Sequence, residues 1–206
     1  MASTEIIILG TNGNCVDIAE IVGAAGFLDD APELQGQSVA GLPVLGKIAD
    51  APKFKSAQFV NGIGSPRSYR RKPDIIRAAG IAADRWATVI HPSAAVSRHA
   101  QVGHGVVLLA GVSVGARVRL GDHVLVLQNS VVSHDTVVGS YTAVATSVSI
   151  SGQCVIGENC YLGSNASLRE SVRIGDRALV GMAAVVTKDV AADTTVIGNP
   201  ARPYRA

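Results

Sequence analysis

From Ile90 to Val186 every sixth residue is Ile, Leu or Val, without a break. Four positions after each of these the residue is small or β-branched, from Ala94 through Val112, Thr136 and Cys154 to Val190. Gly often follows the aliphatic position directly, as at Gly103, Gly115, Gly121, Gly139, Gly157 and Gly175. A period of six fits neither the 3.6-residue period of a helix nor the two-residue alternation of a strand. It fits a solenoid in which each hexad is one short strand and one corner. The aliphatic and the small residue point inward and stack on their equivalents in neighbouring coils. Three hexads per coil give roughly 5.7 coils over residues 90–191. Gly beside the aliphatic residue is expected to relieve the backbone at the corner. A β-sandwich would need turn signals every 8–12 residues or so, a spacing that does not occur here.

The first part of the chain has a different pattern. Glu5-Ile6-Ile7-Ile8-Leu9 reads as a buried strand. The loop Gly10-Thr11-Asn12-Gly13-Asn14 follows, then a helix over about residues 14–25 with Val16, Ala19, Ile21 and Val22 on its apolar face. Phe27-Leu28 leads into the acidic pair Asp29-Asp30. Strand, glycine loop, helix and second strand make a small Rossmann-like βαβ start. A glycine loop opening a helix offers free N–H groups to phosphate, and acidic residues about 20 positions later can accept bonds from a ribose hydroxyl. A tight strand-to-helix turn followed by a solvated acidic turn is the plainer alternative. Pro43-Val44-Leu45 and Gln58-Phe59-Val60-Asn61 are further strands, and Ile63-Gly64-Ser65 is another strand-end loop. Residues 66–80 read as a basic helix in which Arg70-Arg71-Lys72 forms a solvated face. The expected division is therefore an α/β domain over 1–85 and an all-β parallel β-helix, left-handed in type, with a C-terminal capping tail, over 86–206.

Composition sharpens this picture. Apolar residues make up 48 % of the 206 but aromatics only 4 %, so Val, Ile, Leu and Ala must build the core. A formal net charge of +2 gives no case for nucleic acid. Cys15, Cys154 and Cys160 lack metal-site spacing and are expected to be buried thiols in a reducing, cytoplasmic setting. The Ile6–Leu9 run is too short for a signal peptide, and no apolar stretch approaches the ~20 residues of a membrane span.

The hexads resemble those of the hexapeptide-repeat acyltransferases. The strand–loop–helix start, Gly26-Phe27-Leu28-Asp29-Asp30, Gly41-Leu42-Pro43-Val44-Leu45-Gly46, Ile63-Gly64 and His91-Pro92-Ser93-Ala94 look like one group within them. That group is the sialic acid O-acetyltransferases and nucleotide-amino-sugar N-acetyltransferases. The resemblance implies a left-handed β-helix, a homotrimer and acetyl-CoA lying between adjacent prisms, with no metal. It also implies an N-terminal domain that holds a nucleotide-linked amino sugar through Gly10, Thr11, Asn12, Gly13, Asn14, Asp29, Asp30, Gly64 and Ser65. The group usually carries His where this chain has Asn14.

Acyl transfer from a thioester needs a base near the nucleophile and donors for the developing oxyanion. Of the five histidines, His134 is the best candidate, because Val131-Val132-Ser133-His134-Asp135 resembles the group's catalytic motif. The carboxylate of Asp135, where the group more often has Glu, can fix the imidazole tautomer. A His134 that merely lines a subunit interface is the bland alternative. By resemblance Gly152 supplies the oxyanion donor, two hexads and more beyond His134 on a neighbouring edge. Ala143, Ser164, Met182 and Lys188 are implied to meet the coenzyme. The expected activity is acetyl transfer from acetyl-CoA to the sugar amine. O-acetylation of a sialic-acid-type hydroxyl, a non-catalytic scaffold and a zinc-dependent carbonic anhydrase using His99 and His104 are the alternatives.

Overall fold

A computed structural model describes residues 5–204. The N-terminal part is a five-stranded sheet of β1 (Ile6–Leu9), β2 (Gly26–Leu28), β3 (Ser38–Val39), β4 (Leu42–Gly46) and β5 (Gln58–Asn61). Their spatial order is β3-β4-β2-β1-β5. β1 is an interior strand and pairs in parallel with β2 and β5, which is why Ile7, Ile8 and Leu9 are all fully buried. Only the β3–β4 hairpin is antiparallel. The connection from β1 to β2 is α1 (Gly13–Val22), shorter than the 14–25 read from the pattern. It ends at Gly23, whose left-handed φ of 60° terminates the helix. Its packed residues are Cys15, Ile18 and Ala19, so of the expected apolar face only Ala19 is fully buried.

The basic helix expected over 66–80 is shorter and begins as a 3-10 turn. A 3-10 turn at Tyr69–Arg71 leads into α2 (Lys72–Ala78), started by Pro73 in its first turn. Arg70 and Arg71 are exposed, as a solvated face requires, but Lys72 is 0 % exposed and its Nζ has no hydrogen-bond partner among the described residues. It packs where α2 meets the second half of the chain, a contact that no local pattern announces.

That second half is a parallel β-helix of two-residue strands, running from Val89–Ile90 to Val185–Val186. Ser113, Val131 and Ser149 are in register, eighteen residues apart, so three hexads make each coil. Three parallel sheets form the walls. The first holds Val107–Leu108, Leu125–Val126, Ala143–Val144 and Tyr161–Leu162, and the N-terminal domain packs on it. The second holds Ser113–Val114, Val131–Val132 and Ser149–Ile150, and the third Arg119–Leu120, Val137–Val138 and Val155–Ile156. The inward aliphatic and small positions form one continuous core, with Val106, Val126, Ile150, Cys160, Ala166 and Ala184 all 0 % exposed. The base of the prism is the exception: Ile90 starts the repeat yet is 43 % exposed, because no coil lies beneath it.

The hydroxyls that enter this core have partners. The hydroxyls of Ser130, Thr136 and Thr142 donate to the carbonyls of Ala145, Ser151 and Gly157 and accept the N–H groups of Val148, Cys154 and Cys160. The thiols of Cys154 and Cys160 donate to Arg169 and Gly175 carbonyls one coil further along. All three cysteines are buried and free.

The glycines beside the aliphatic positions have a different cause from the one the pattern suggested. Gly103, Gly139 and Gly157 do not have positive φ; the left-handed corner residue lies two positions later, at Gly105, Tyr141 and Asn159. Gly139 is glycine because a Cβ there would lie 2.7 Å from the Glu158 nitrogen in the next coil. Close stacking of coils, not turn strain, selects the residue.

Candidate active site

His134 stands at the corner between the second and third sheets, and its side chain is 56 % exposed. Its Nδ1 lies 2.8 Å from Asp135 Oδ2. An ionised carboxylate can only accept, so in the neutral ring Nδ1 carries the hydrogen and Nε2 the lone pair. Asp135 occupies the left-handed position of the corner, φ 60°. One coil below, Arg117 Nε donates to Asp135 Oδ1 at 2.6 Å and its Nη2 to Oδ2 at 2.8 Å. The Arg117 guanidinium first, and His134 second, hold the Asp135 carboxyl far below the usual carboxylate range. Arg117 was not among the residues the sequence singled out; its position eighteen residues before Asp135, one coil in register, is the signal that would have found it.

Gly152 lies one full coil above His134 on the same edge, not on a neighbouring edge as the resemblance had suggested. A Cβ on it would fall 2.6 Å from His134 Cε1 and 2.8 Å from Nε2. The ring therefore rests over the glycine. The Gly152 N–H makes no hydrogen bond among the described residues, while its carbonyl accepts from Ser171.

The remaining expected coenzyme residues separate. Lys188 is exposed on the His134 edge, three coils further along. Ser164 and Met182 lie on the edge between the first and second sheets, where Met182 is 77 % exposed. Ala143 belongs to neither edge: it is 2 % exposed and packs under Gly64, whose own Cβ would meet Leu125 and Ala143 side chains at 2.8 and 3.2 Å. Burial removes Ala143 from any ligand surface of this chain and makes Gly64 a close-packing residue between the two halves.

In the N-terminal loop, Gly10 has φ 93° and Asn12 caps α1, its side chain accepting the N–H groups of Asn14 and Cys15. The N–H groups of Thr11, Asn12 and Gly13 stay without partners among the described residues. Asp29 reaches back to this loop, accepting the Thr11 hydroxyl at 2.8 Å and the Ala31 N–H at 2.9 Å. Asp30 instead accepts the Ile48 N–H. Ser65 is exposed and pairs with Ser68. Loop and acidic residues thus converge at one end of the sheet, away from His134 in sequence and on a different element.

Two further groups escaped the sequence reading. His123 is buried between Trp86, edge-on at 4.8 Å, and Tyr141, stacked at 5.5 Å, with its Nδ1 unpartnered among the described residues. Burial, and then the Lys72 ammonium nearby, pull its imidazole down to about 4. Burial pulls the Lys72 amine down to about 7. No group of three or more His, Cys, Asp or Glu that could hold a metal ion occurs among the described residues, and His99 is engaged with Arg98. No helix among them is long and apolar enough to cross a membrane.

Residues 153–188 match the family model described as the hexapeptide repeat of succinyl-transferase. No curated protein sequence matches the chain. Among solved structures, the acetyltransferase domain of PglB from Neisseria gonorrhoeae in complex with acetyl coenzyme A is 30 % identical, with TM-score 0.85 over 98 % of this chain and 99 % of that one. PerB from Caulobacter crescentus, in complex with CoA and GDP-perosamine, is 27 % identical, with TM-score 0.87 over 99 % of both chains. A variant of the Caulobacter perosamine N-acetyltransferase with one histidine replaced by asparagine, again holding CoA and GDP-perosamine, matches with TM-score 0.88 at 27 % identity over 100 % of this chain and 99 % of that one.

Proposed function

This chain belongs to the hexapeptide-repeat acetyltransferase family of the PglB acetyltransferase domain, and from that premise we propose that it transfers the acetyl group of acetyl-CoA to the amine of a nucleotide-linked amino sugar. The observation that carries the reading is the His134 ring, held at Nδ1 by Asp135 and lying over the Gly152 backbone on an exposed edge of the prism.

The reaction needs no acyl-enzyme. The sugar amine attacks the thioester carbonyl carbon and forms the C–N bond. His134 Nε2 takes a proton from the nitrogen as it acquires positive charge. Negative charge gathers on the carbonyl oxygen, where the unpartnered Gly152 N–H is available to donate. Collapse breaks the C–S bond, and the imidazolium returns its proton to the departing sulfur. Asp135 keeps the proton on Nδ1 throughout, so Nε2 is always the base.

We assign residues 1–85, with a Rossmann-like sheet, to the nucleotide sugar and residues 86–206, a left-handed β-helix, to acyl transfer. The free N–H groups at Thr11–Gly13 and the Asp29 carboxylate beside them support Gly10, Thr11, Asn12, Gly13, Asn14, Asp29, Asp30 and Ser65 as the nucleotide-facing set. Gly152 and Lys188 on one edge, and Ser164 and Met182 on another, are united if the edges of adjacent prisms face each other, which is the case for a homotrimer with acetyl-CoA in each groove. A cytoplasmic location fits the two co-substrates and the free, buried thiols.

The deciding experiment measures CoA release from acetyl-CoA against a panel of nucleotide amino sugars, with binding followed by thermal shift. A ligand at 100 times its Kd adds about 2.7 kcal/mol of stability. Silence across the panel together with no acetyl-CoA binding would leave a non-catalytic scaffold.

A further inference from the structure

We propose that Arg117 is a positioning residue for this reaction: its two-point grip on Asp135 sets where the carboxylate, and with it the His134 ring, stands. The inference rests on the reading of His134 given above.

Asp135 has one rotatable bond between its Cβ and the carboxylate plane, and it projects from a left-handed corner. A carboxylate so placed can turn toward His134 or toward water. The guanidinium fork removes that choice. Nε and Nη2 of Arg117 bind one oxygen each, and planar bidentate pairing fixes the plane of the carboxylate as well as its position. Oδ2 is then shared, accepting Nη2 of Arg117 and Nδ1 of His134 at 2.8 Å each. The order along the edge is therefore Arg117, Asp135, His134 and, above the ring, Gly152. A longer acid could reach an imidazole without such support; the shorter Asp is held from the coil below.

The grip also has an electrical consequence. A carboxylate alone favours the imidazolium, whereas a general base must be neutral before it acts. The Arg117 charge offsets that of Asp135. The other groups facing His134 are the uncharged Ala116 below and Gly152 with Gln153 above. Arg98 and His99 stand two coils below, Arg169 and Glu170 two coils above and Lys188 three above, at distances near or beyond a Debye length of ~10 Å. Arg117 and Asp135 are thus the charges that matter at the ring.

The same fork occurs where Arg177 Nε and Nη2 bind Asp193, on a different edge and with no imidazole on the carboxylate. There it ties one coil to the next. It serves as the control for a purely structural role.

The test follows the imidazole resonances of His134 by NMR against pH, assigned by their loss in His134→Ala. The proteins compared are wild type, Arg117→Gln, Arg117→Lys and Arg177→Gln. The expected result is an upward move of the His134 midpoint by about half a pH unit in Arg117→Gln, the scale of one unit charge near a wet surface. Arg117→Lys, which keeps the charge, and Arg177→Gln should stay close to wild type. With acetyl-CoA and GDP-perosamine as probes, Arg117→Gln should lower kcat about tenfold with little change in KM, the low end for losing a partner behind an imidazole. Arg117→Lys should recover part of it. Superimposable titrations of wild type and Arg117→Gln would overturn the proposal, whatever the turnover. A fully active His134→Ala would instead overturn the assignment of the base, so the two failures are told apart.

Discussion

Gly152 and His134 stand one coil apart on the same edge of the prism, so closely that a Cβ on Gly152 would lie 2.6 Å from Cε1 of the imidazole. The glycine leaves the space in which the ring lies, and its backbone N–H has no partner among the described residues. Gly152→Ala keeps that N–H but drives the ring aside. Turnover should fall by at least about tenfold, with the melting temperature little changed, since a small misplacement of a catalytic group is costly. Steady-state rates and thermal melts of the purified variant check this; unaltered kcat would mean that the ring is not used where it lies.

His134→Ala should lower turnover by ~10²–10⁴ and leave the fold intact, because the side chain is mostly solvent-exposed and supports no core. The circular dichroism spectrum should match that of wild type. Acetylation at a near-normal rate would remove His134 from the mechanism.

Lys72 is a buried amine without a hydrogen-bond partner among the described residues, and removing it should stabilise the protein. Lys72→Met keeps length and volume while dropping the polar atom. The Lys72 pKa is depressed on folding, from 10.5 to about 7. Above pH 10.5 both states are neutral and nothing is lost. Between about 10.5 and 7 the unfolded chain takes up a proton that the folded one refuses, so wild-type stability declines as pH falls through that window. At about 1.4 kcal/mol per unit the effect is on the order of several kcal/mol. Urea titrations at pH 7 and pH 10 should show the variant more stable at pH 7, with the gap closing at pH 10. A gap that does not change with pH would contradict this account.

His123 works in the same direction at lower pH. Its imidazole falls from 6.5 to about 4 on folding, so stability is lost as pH drops from about 6.5 toward 4. Groups facing it are Lys72, Asp122 and His104, with the rings of Trp86 and Tyr141 against its own. His123→Phe should flatten the acid side of the stability profile, read as denaturant midpoints from pH 7 to pH 4.5. An equally steep decline would show that other groups govern acid lability.

Gly139→Ala tests why the hexads carry glycine. The new methyl would sit 2.7 Å from the Glu158 nitrogen in the next coil, and backbone cannot swing away as a side chain can. A loss of about 1–3 kcal/mol is expected, typical of overpacking. A variant as stable as wild type in urea would mean that the coils can part to admit a Cβ.

The β-helix was legible in the sequence because its inward positions repeat every six residues with no help from distant segments. Stacking one coil on the next imposes the same demand on every hexad, so the pattern carries the architecture. The βαβ start and the His134-Asp135 pair were legible for a similar reason, as each is a local run of residues. The edge that holds the candidate site was not. Gly152, Arg117 and His134 meet because three hexads close one coil, and only the folded register of eighteen brings them to one corner. The burial of Lys72 and His123 and the loss of Ala143 from the surface were hidden for a further reason. They depend on where the N-terminal sheet docks against the first wall of the prism. That choice rests on side-chain packing between segments far apart in the chain, through contacts such as Gly64 on Leu125 and Trp86 on His123.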